Sequence, residues 1–239
     1  PSITELLCEL GLEGQLVGRT GFCIHPWETV RKIPKVGGTK DVKLERVREL
    51  QPTHVVVNVD ENRKETAEAL AEFVPEVVVT HPRAPRDNLD LYRQMGRLFG
   101  RKEEAERLCA EFERALARAR EAAGPPRKVL YLIWREPWMT VAPDTYVSRT
   151  LALFNWQTRP AECAERYPKV DLGACGAEGD RVLLSSEPFH FDRRHLPEVE
   201  AVVGGTPVSL IDGEMTSWYG SRAIAGLDYL AAYTAGRAS

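Results

Sequence analysis

Short runs of β-branched and aliphatic residues alternate along this chain with longer segments of helical periodicity. This alternation constrains the fold most strongly, because it is typical of parallel sheets whose strands are joined by crossover helices. The predicted strands are residues 15–17, 54–59, 76–80, 128–134, 181–185 and 208–211. The predicted helices among them are residues 43–50, 63–73, 145–154 and 221–234. We therefore predict an α/β protein.

A highly charged helical segment divides these elements into two halves. Residues 88–99 predict one helix, and a longer one begins at Lys102 and ends before Gly124, Pro125 and Pro126. One long helix between two α/β halves indicates a stiff spine, although its individual charges are explained by a solvated face. The predicted domains are an N-terminal α/β lobe at 1–86, a helical segment with the backbone helix at 87–124, and a C-terminal α/β lobe at 125–239.

The first ten residues predict a helix that begins almost at once. Its apolar residues share one face, and Ser2 as N-cap with Glu5 three residues later would complete a capping box. A helix of this kind in an α/β lobe normally follows a strand. We therefore expect a strand, and before it a leader segment, to precede residue 1.

Composition and charge exclude several classes of partner. The formal net charge is -3 and the pI is near 6.1, so the chain lacks the basic surface that attracts nucleic acid or anionic lipid. No window approaches the about 18 apolar residues that a membrane span requires. The 5 cysteines are widely spaced and include no CxxC pair, which favours reduced thiols over a disulfide framework or a zinc site.

Catalytic signatures are missing from the sequence. It contains no GxSxG elbow, no phosphate-binding GxxxxGK[ST] loop, no HExxH and no GxGxxG after a strand. His25, His81 and His190 follow or flank predicted strands, and a zinc or manganese site would require them to converge. Otherwise each histidine forms hydrogen bonds within its own loop.

Aromatic residues lie where predicted elements end, and large flat side chains in loops usually cover something apolar. They follow the first strand of each half and the last strand: Phe22, Trp27, Trp134, Trp138, Trp218 and Tyr219. The alternative for any one of them is that it covers the core of the protein itself. Three such groups in equivalent places favour a shared ligand.

Polar side chains accompany these aromatic residues. They are Arg135 beside Trp134, Glu187 after residues 181–185, and Asp212, Glu214 and Arg222 around Trp218. An apolar cleft with a few convergent polar groups is the usual construction of a small-molecule site. A local ion pair between Asp212 and Arg222 is the simpler alternative for those two residues. Gly37, Gly38 and Thr39 predict a glycine turn, which either approaches the ligand or is an ordinary turn.

Several segments resemble the cobalamin- and iron-siderophore-type periplasmic solute-binding proteins. In the first half these are residues 1–6 (PSITEL), 16–20 (LVGRT) and 43–57 (KLERVRELQPTHVVV). In the second half they are residues 132–139 (LIWREPWM), 166–170 (RYPKV) and 185–189 (SSEPF). Their order and spacing carry the resemblance, which covers almost the whole chain.

The resemblance implies two Rossmann-like lobes with parallel sheets, joined by one long backbone helix, with a ligand cleft between the lobes. The ligand would be a corrinoid, haem or ferric siderophore, bound without catalysis or an intrinsic cofactor and passed to an ABC permease by a monomer. Carried over by position, Pro1, Ser2, Phe22 and Trp138 would lie near the ligand, and Asp212 and Arg222 on a loop of the second lobe.

Two departures from the family pattern bear on ligand and partner. Thr39 stands where cobalamin binders carry tryptophan, which weakens cobalamin as the specific ligand. Glu45 matches the first of two glutamates that dock on the permease. The second should fall near Gly173, where only Asp171 and Glu178 are acidic.

Three readings follow for function and compartment. The first is import of a metal chelate by an extracytoplasmic receptor, if a leader precedes residue 1. The second is a cytoplasmic carrier or sensor of a corrinoid or tetrapyrrole. The third, least favoured, is a metal-chelatase-like enzyme that uses His25, His81 or His190 with Glu187. Anionic chelates would suit the arginines of the second half if these face inward: Arg135, Arg193, Arg194 and Arg222.

Overall fold

The computed structural model describes residues 1–237. The chain forms two compact units. Unit 1 comprises Pro1–Pro82 and Leu89–Cys109, whereas unit 2 comprises Arg83–Asn88 and the chain from Ala110 onward. Among the described residues, no helix combines the length and the apolar character needed to cross a membrane.

Unit 1 is a small α/β body around a pair of parallel strands. Strands β1 (His54–Asn58) and β2 (Glu76–Thr80) pair with Val56 opposite Val78. Four helices precede or connect them: α1 (Ser2–Glu9), α2 (Trp27–Val30), α3 (Leu44–Leu50) and α4 (Lys64–Ala71). A cluster of buried side chains lies among these elements: Val47 of α3, Val57 of β1, Leu70 of α4, and Val74 between α4 and β2.

Two helices carry the chain from one unit to the other. Helix α5 (Asp87–Leu98) begins in unit 2 and continues into unit 1, and α6 (Lys102–Glu121) begins in unit 1 and ends in unit 2. The long charged helix predicted to begin at Lys102 is therefore present. The predicted domain boundaries at 86 and 124 stay predictions.

Unit 2 contains a parallel four-stranded sheet. Its strands are β3 (Arg127–Leu132), β4 (Trp156–Thr158), β5 (Arg181–Ser185) and β6 (Val208–Ile211), in the order β4-β3-β5-β6. The central strands β3 and β5 are buried over four consecutive residues, as expected for a sheet covered on both faces. The helices are α7 (Tyr146–Ala152), α8 (Leu172–Ala177), α9 (Leu196–Glu200), α10 (Gly213–Ser217) and α11 (Arg222–Thr234).

The predicted α/β class with parallel sheets is confirmed. Strands 76–80, 181–185 and 208–211 have the predicted bounds, and β1 ends one residue earlier than predicted. Strand β4 was not predicted, since three residues give no readable periodicity. The strand predicted at 128–134 ends at Leu132, because Trp134 turns out of the sheet and forms an antiparallel bridge with Met139.

Two predictions for the N-terminal region are wrong. Residues 15–17 do not form a strand, because Glu13–Gln15 is a 3-10 helix and Val17 is 45% exposed, with no neighbouring strand to cover it. The capping box also fails, since Pro1 is the N-cap and Ser2 is the first helical residue of α1. The Ser2 side chain is buried inside the first turn, so its hydroxyl does not cap the helix.

Candidate functional site

The predicted ligand residues of unit 2 share one edge of its sheet. All four strands run parallel, so the loops after β3, β5 and β6 leave from the same side, which we call the C-terminal edge. These loops carry Trp134, Arg135 and Trp138 after β3, Glu187 after β5, and Asp212, Trp218 and Tyr219 after β6. Ligands of open α/β sheets bind outside the carboxyl ends of the strands.

Trp218 connects the loops after β5 and β6. Its indole Nε1–H donates a hydrogen bond of 2.7 Å to the Glu187 carboxylate. The Arg222 guanidinium carbon lies 5.2 Å from the centroid of the Trp218 ring, and Arg222 pairs with Glu214 at 3.5 Å. Trp218 is only 7% exposed. Trp218 therefore stabilises the C-terminal edge and exposes little surface to a ligand.

Asp212 begins helix α10 and does not form the ion pair weighed for it with Arg222. Its carboxylate accepts a hydrogen bond from the Met215 amide at 3.1 Å, which is an N-cap interaction. Next to it, Gly213 approaches the loop after β5 closely. A Cβ on Gly213 would lie 2.7 Å from the Glu187 nitrogen and 2.6 Å from Ser185 Oγ, so only glycine fits there.

The loop after β3 presents two tryptophans in different environments. Trp138 stacks on Phe191 with ring centroids 6.1 Å apart, which partly buries it. Trp134 meets Phe189 edge to face at 5.8 Å and remains 41% exposed. The exposed ring is available to cover an apolar ligand.

Arg135, in the same loop, is held between two carboxylates. It pairs with Glu136 at 2.9 Å and with Glu198 at 3.0 Å. The hydrogen bond to Glu198 raises the pKa of the Arg135 guanidinium above its ordinary value. Its charge is thus neutralised locally.

In unit 1, Phe22 lies beside the glycine turn at 37–39. The Gly21 amide donates to the Gly37 carbonyl at 2.8 Å, and a Cβ on Gly38 would lie 3.5 Å from Phe22 Cε2. The Thr39 carbonyl accepts a hydrogen bond of 2.9 Å from the Asn62 side chain. Phe22 is 62% exposed, and Trp27, the first residue of α2, is 55% exposed. Both aromatic rings are therefore largely exposed to water.

The remaining predicted residues do not assemble a metal centre. His81 contacts the Asp60 carboxylate at 3.5 Å, His25 is partly buried, and His190 is exposed. Within residues 1–237, no three side chains of the His, Cys, Asp or Glu type come together in a group able to hold a metal ion. None of the cysteines of this described part of the chain forms a disulfide.

Sequence reasoning missed two groups at the C-terminal edge of unit 2. Phe189 and Phe191 pack together at 4.7 Å, and the quoted segment 185–189 already contained one of them as a signal. Asp144 pairs with both Arg83 and Arg166. Arg83 and Asp144 are 61 residues apart in the chain, so nothing in the sequence pattern indicated their contact.

Comparison with known proteins identifies relatives of this fold. Residues 1–171 match the family described as periplasmic binding protein. The vitamin B12-binding protein of Pectobacterium carotovorum subsp. carotovorum (strain PC1) is 22% identical over 174 residues, which cover 71% of this chain and 63% of that protein. The match thus spans less than two thirds of that relative's length.

Solved structures show the same fold over nearly the whole chain. The periplasmic vitamin B12-binding protein of Vibrio cholerae superposes with a TM-score of 0.83 at 16% identity, covering 99% of this chain and 94% of that one. The periplasmic heme-binding protein from Roseiflexus sp. RS-1 gives a TM-score of 0.81 at 20% identity, covering 100% and 96%. Since the family match covers residues 1–171 of 239, the chain belongs to the periplasmic binding protein family.

Proposed function

We propose that this chain is a solute-binding protein that captures a bulky metal chelate, a corrinoid, haem or ferric siderophore, for ABC-type import. The observation that carries the proposal is the set of aromatic and polar residues at the C-terminal edge of unit 2. Three loops from different strands supply it, with Trp134 exposed and with Trp138 and Trp218 supporting it. Membership of a family of binding proteins supports a role without catalysis.

Exposed aromatic side chains on each unit give the proposed binding its physical basis. Phe22, Trp27 and Trp134 are between 41% and 62% exposed. An aromatic ring buries about 150–250 Å² when it is fully covered, so each is a large source of binding free energy for a flat apolar ligand. The predicted location of the ligand between the lobes stays a prediction.

The ligand is proposed to be a macrocycle or a chelate of similar size. The two solved structures described above are named for vitamin B12 and heme, which are both metal-containing macrocycles. The metal is part of the cargo, and the protein needs no cofactor of its own. Thr39 in place of a tryptophan argues against cobalamin within this class.

Titration calorimetry of the purified chain tests this function directly. Cobalamin, cobinamide, haem and a ferric siderophore panel are each titrated into the protein, and a dissociation constant below about 1 μM, or roughly -8 kcal/mol, is expected for at least one. Trp134→Ala and Phe22→Ala should weaken that binding about 10-fold or more. Val79→Ala, at another exposed apolar side chain, is the control. Failure to bind any of these chelates would contradict the proposal.

We also propose that Glu45 contacts the permease and that the protein works outside the cytoplasm. The Glu45 side chain is 82% exposed on α3, and Arg48 lies 3.8 Å away. The acids near the expected second position are engaged: Asp171 caps α8, and Glu178 pairs with Arg159 at 3.0 Å. Docking therefore rests on Glu45 in unit 1.

A transport assay tests the docking role separately from binding. Glu45→Gln should reduce uptake of the chelate into cells that carry the cognate permease, while the affinity measured by calorimetry stays the same. Glu72→Gln, which changes an exposed acid at the end of α4, is the matched control. Equal uptake by the two variants would show that Glu45 has no docking role.

A further inference from the structure

Four aromatic rings connect the loops after β3 and β5 at the C-terminal edge of unit 2. Phe189 and Phe191 pack against each other with ring centroids 4.7 Å apart. Trp134 meets Phe189 edge to face at 5.8 Å, and Trp138 stacks on Phe191 at 6.1 Å with an interplanar angle of 7°. The two tryptophans of the loop after β3 therefore rest on the two phenylalanines of the loop after β5.

A further ring, the imidazole of His195, contacts both phenylalanines. Its centroid lies 5.4 Å from the Phe189 ring and 5.4 Å from the Phe191 ring, with interplanar angles of 80° and 85°. Edge-to-face contacts of this kind are favourable, because the positive edge of one ring meets the negative face of the other. The His195 side chain is 18% exposed, so the imidazole lies mostly against protein.

A capping box holds this imidazole in place. Asp192 is the N-cap of the 3-10 turn Arg193–His195, and its amide donates to His195 Nδ1 at 3.1 Å. The Asp192 carboxylate lies 3.1 Å from the same nitrogen. The amide donates to Nδ1 when this nitrogen is unprotonated, and the carboxylate accepts from it when it carries a proton. Asp192 thus holds the ring in either protonation state.

The backbone of His195 is fixed as well, because helix α9 (Leu196–Glu200) follows it directly. The Val199 side chain of this helix is fully buried in a core cluster of unit 2 that also contains Phe191. Trp134, by contrast, is 41% exposed and has fewer protein contacts to fix it. The position of the exposed ring therefore depends on contacts that begin in the core.

Phe189 links His195 to the exposed tryptophan. Its amide donates to the Ile133 carbonyl at 3.2 Å, directly before Trp134, and its ring contacts both Trp134 and His195. Removal of the imidazole would leave a gap beside the Phe189 ring, into which neighbouring side chains relax. The Trp134 ring would then lose its fixed support.

We propose that His195 is a positioning residue for ligand binding, an inference that rests on the proposed function. His195 holds Phe189, and Phe189 orients the exposed Trp134 ring that covers the ligand. A ring that is already held in place binds a flat macrocycle more tightly than a mobile ring, because less side-chain entropy is lost on binding. His195 acts through these two residues and without a contact of its own to the ligand.

Two substitutions separate the ring of His195 from its hydrogen bond. His195→Gln removes the ring but keeps an acceptor for the Asp192 amide, since glutamine is a regular partner in a capping box. His195→Phe keeps an aromatic ring but loses the acceptor. Both variants should lower the thermal unfolding midpoint, because one loses packing and the other loses a hydrogen bond. Only the loss of the ring should weaken ligand binding.

Calorimetry with two flat macrocycles, haem and cobinamide, measures this difference at a temperature at which all variants are folded. His195→Gln should bind the macrocycle about 5- to 10-fold more weakly, as expected when one or two side chains become ordered only on binding, and His195→Phe should stay within about 2-fold of the wild type. His54→Gln is the matched control, because His54 also meets a phenylalanine edge to face, Phe99 at 5.1 Å, but lies in unit 1. Equal affinities of His195→Gln and His54→Gln, or an equal loss in both His195 variants, would overturn the positioning role.

Fluorine NMR of protein labelled with 5-fluorotryptophan tests the positioning without any ligand. The Trp134 line is assigned by its loss from Trp134→Phe. It should shift in His195→Gln and stay close to the wild-type position in His195→Phe and His54→Gln. An unchanged line in His195→Gln would overturn the inference, and so would binding of a ferric siderophore but of neither macrocycle, while the proposed function stands. If the wild type binds no chelate at all, the proposed function fails and the inference fails with it.

Discussion

The indole of Trp218 donates a 2.7 Å hydrogen bond to the carboxylate of Glu187 across the C-terminal edge of unit 2. This bond joins the loop after β6 to the loop after β5. A hydrogen bond to a carboxylate at a largely buried site is stronger than one between neutral groups at the surface. It therefore restrains two of the loops on which the proposed ligand site depends.

Trp218→Phe removes this bond and keeps most of the ring. We expect the free energy of unfolding to fall by about 1–3 kcal/mol, because the Glu187 carboxylate loses a donor in a half-buried place. Urea denaturation followed by circular dichroism measures the change. Trp134→Phe, at a 41% exposed ring, is the control and should change the free energy by less than about 0.5 kcal/mol. Equal effects in the two variants would show that the bond contributes nothing measurable.

Gly213→Ala tests the close approach between α10 and the loop after β5. The added methyl group would meet the Glu187 nitrogen at 2.7 Å, so the backbone must shift, and overpacking of this kind costs about 1–3 kcal/mol. Gly124→Ala has no atom within 4 Å of the new methyl group and is the matched control. Thermal unfolding of both variants measures the difference. An unchanged midpoint for Gly213→Ala would mean that the two loops separate easily.

Ser221→Ala should leave stability unchanged or raise it by up to about 1 kcal/mol. Ser221 is the N-cap of α11 without a side-chain cap hydrogen bond, and within residues 1–237 its buried Oγ has no hydrogen-bond partner. Burial of such a hydroxyl costs free energy, so its removal is favourable or neutral. Thr145→Ala is the contrasting variant, because the Thr145 hydroxyl accepts from the Ser148 amide at 3.3 Å, and its loss should cost about 1 kcal/mol. Destabilisation of both variants to the same extent would contradict this contrast.

Stability should fall in alkaline solution. Burial raises the pKa of Tyr131 and Tyr146 well above their ordinary range, so the folded state keeps phenolic protons that the unfolded state loses above about pH 10. The unfolded state then binds fewer protons than the folded state, and the free energy of unfolding decreases as pH rises further. Tyr146→Phe should make this decrease shallower, as measured by urea denaturation between pH 9 and 11. A slope identical to that of the wild type would exclude Tyr146 as a source.

The pattern of apolar residues predicted helices and strands well where buried positions follow one another regularly along the sequence. Within β5, residues 182–184 form a continuous apolar run because this strand is covered on both faces, and the run is visible without any structure. Residues 15–17 have the same kind of composition but lack a neighbouring strand, so the local pattern was misleading there. The three residues of β4 are held by pairing with β3, which the sequence does not display.

The candidate site was predictable in part for a related reason. In a parallel sheet every loop that follows a strand leaves from the same edge, so Trp134, Glu187 and Trp218 were placed together by topology alone. Whether each faces water or the core depends on packing. Trp134 is 41% exposed and Trp218 is 7% exposed, although both are tryptophans that follow a strand.

The sequence by itself determined the α/β class, the long helix that begins at Lys102 and the family, because periodicity, helix ends and short motifs are local properties. Only the tertiary structure decided which side chains meet. Asp144 takes hydrogen bonds from Arg83, 61 residues before it, and from Arg166, 22 residues after it. Such pairings depend on how the chain folds back on itself, and no local pattern specifies them. Charge balance at the proposed site is therefore a property of the fold.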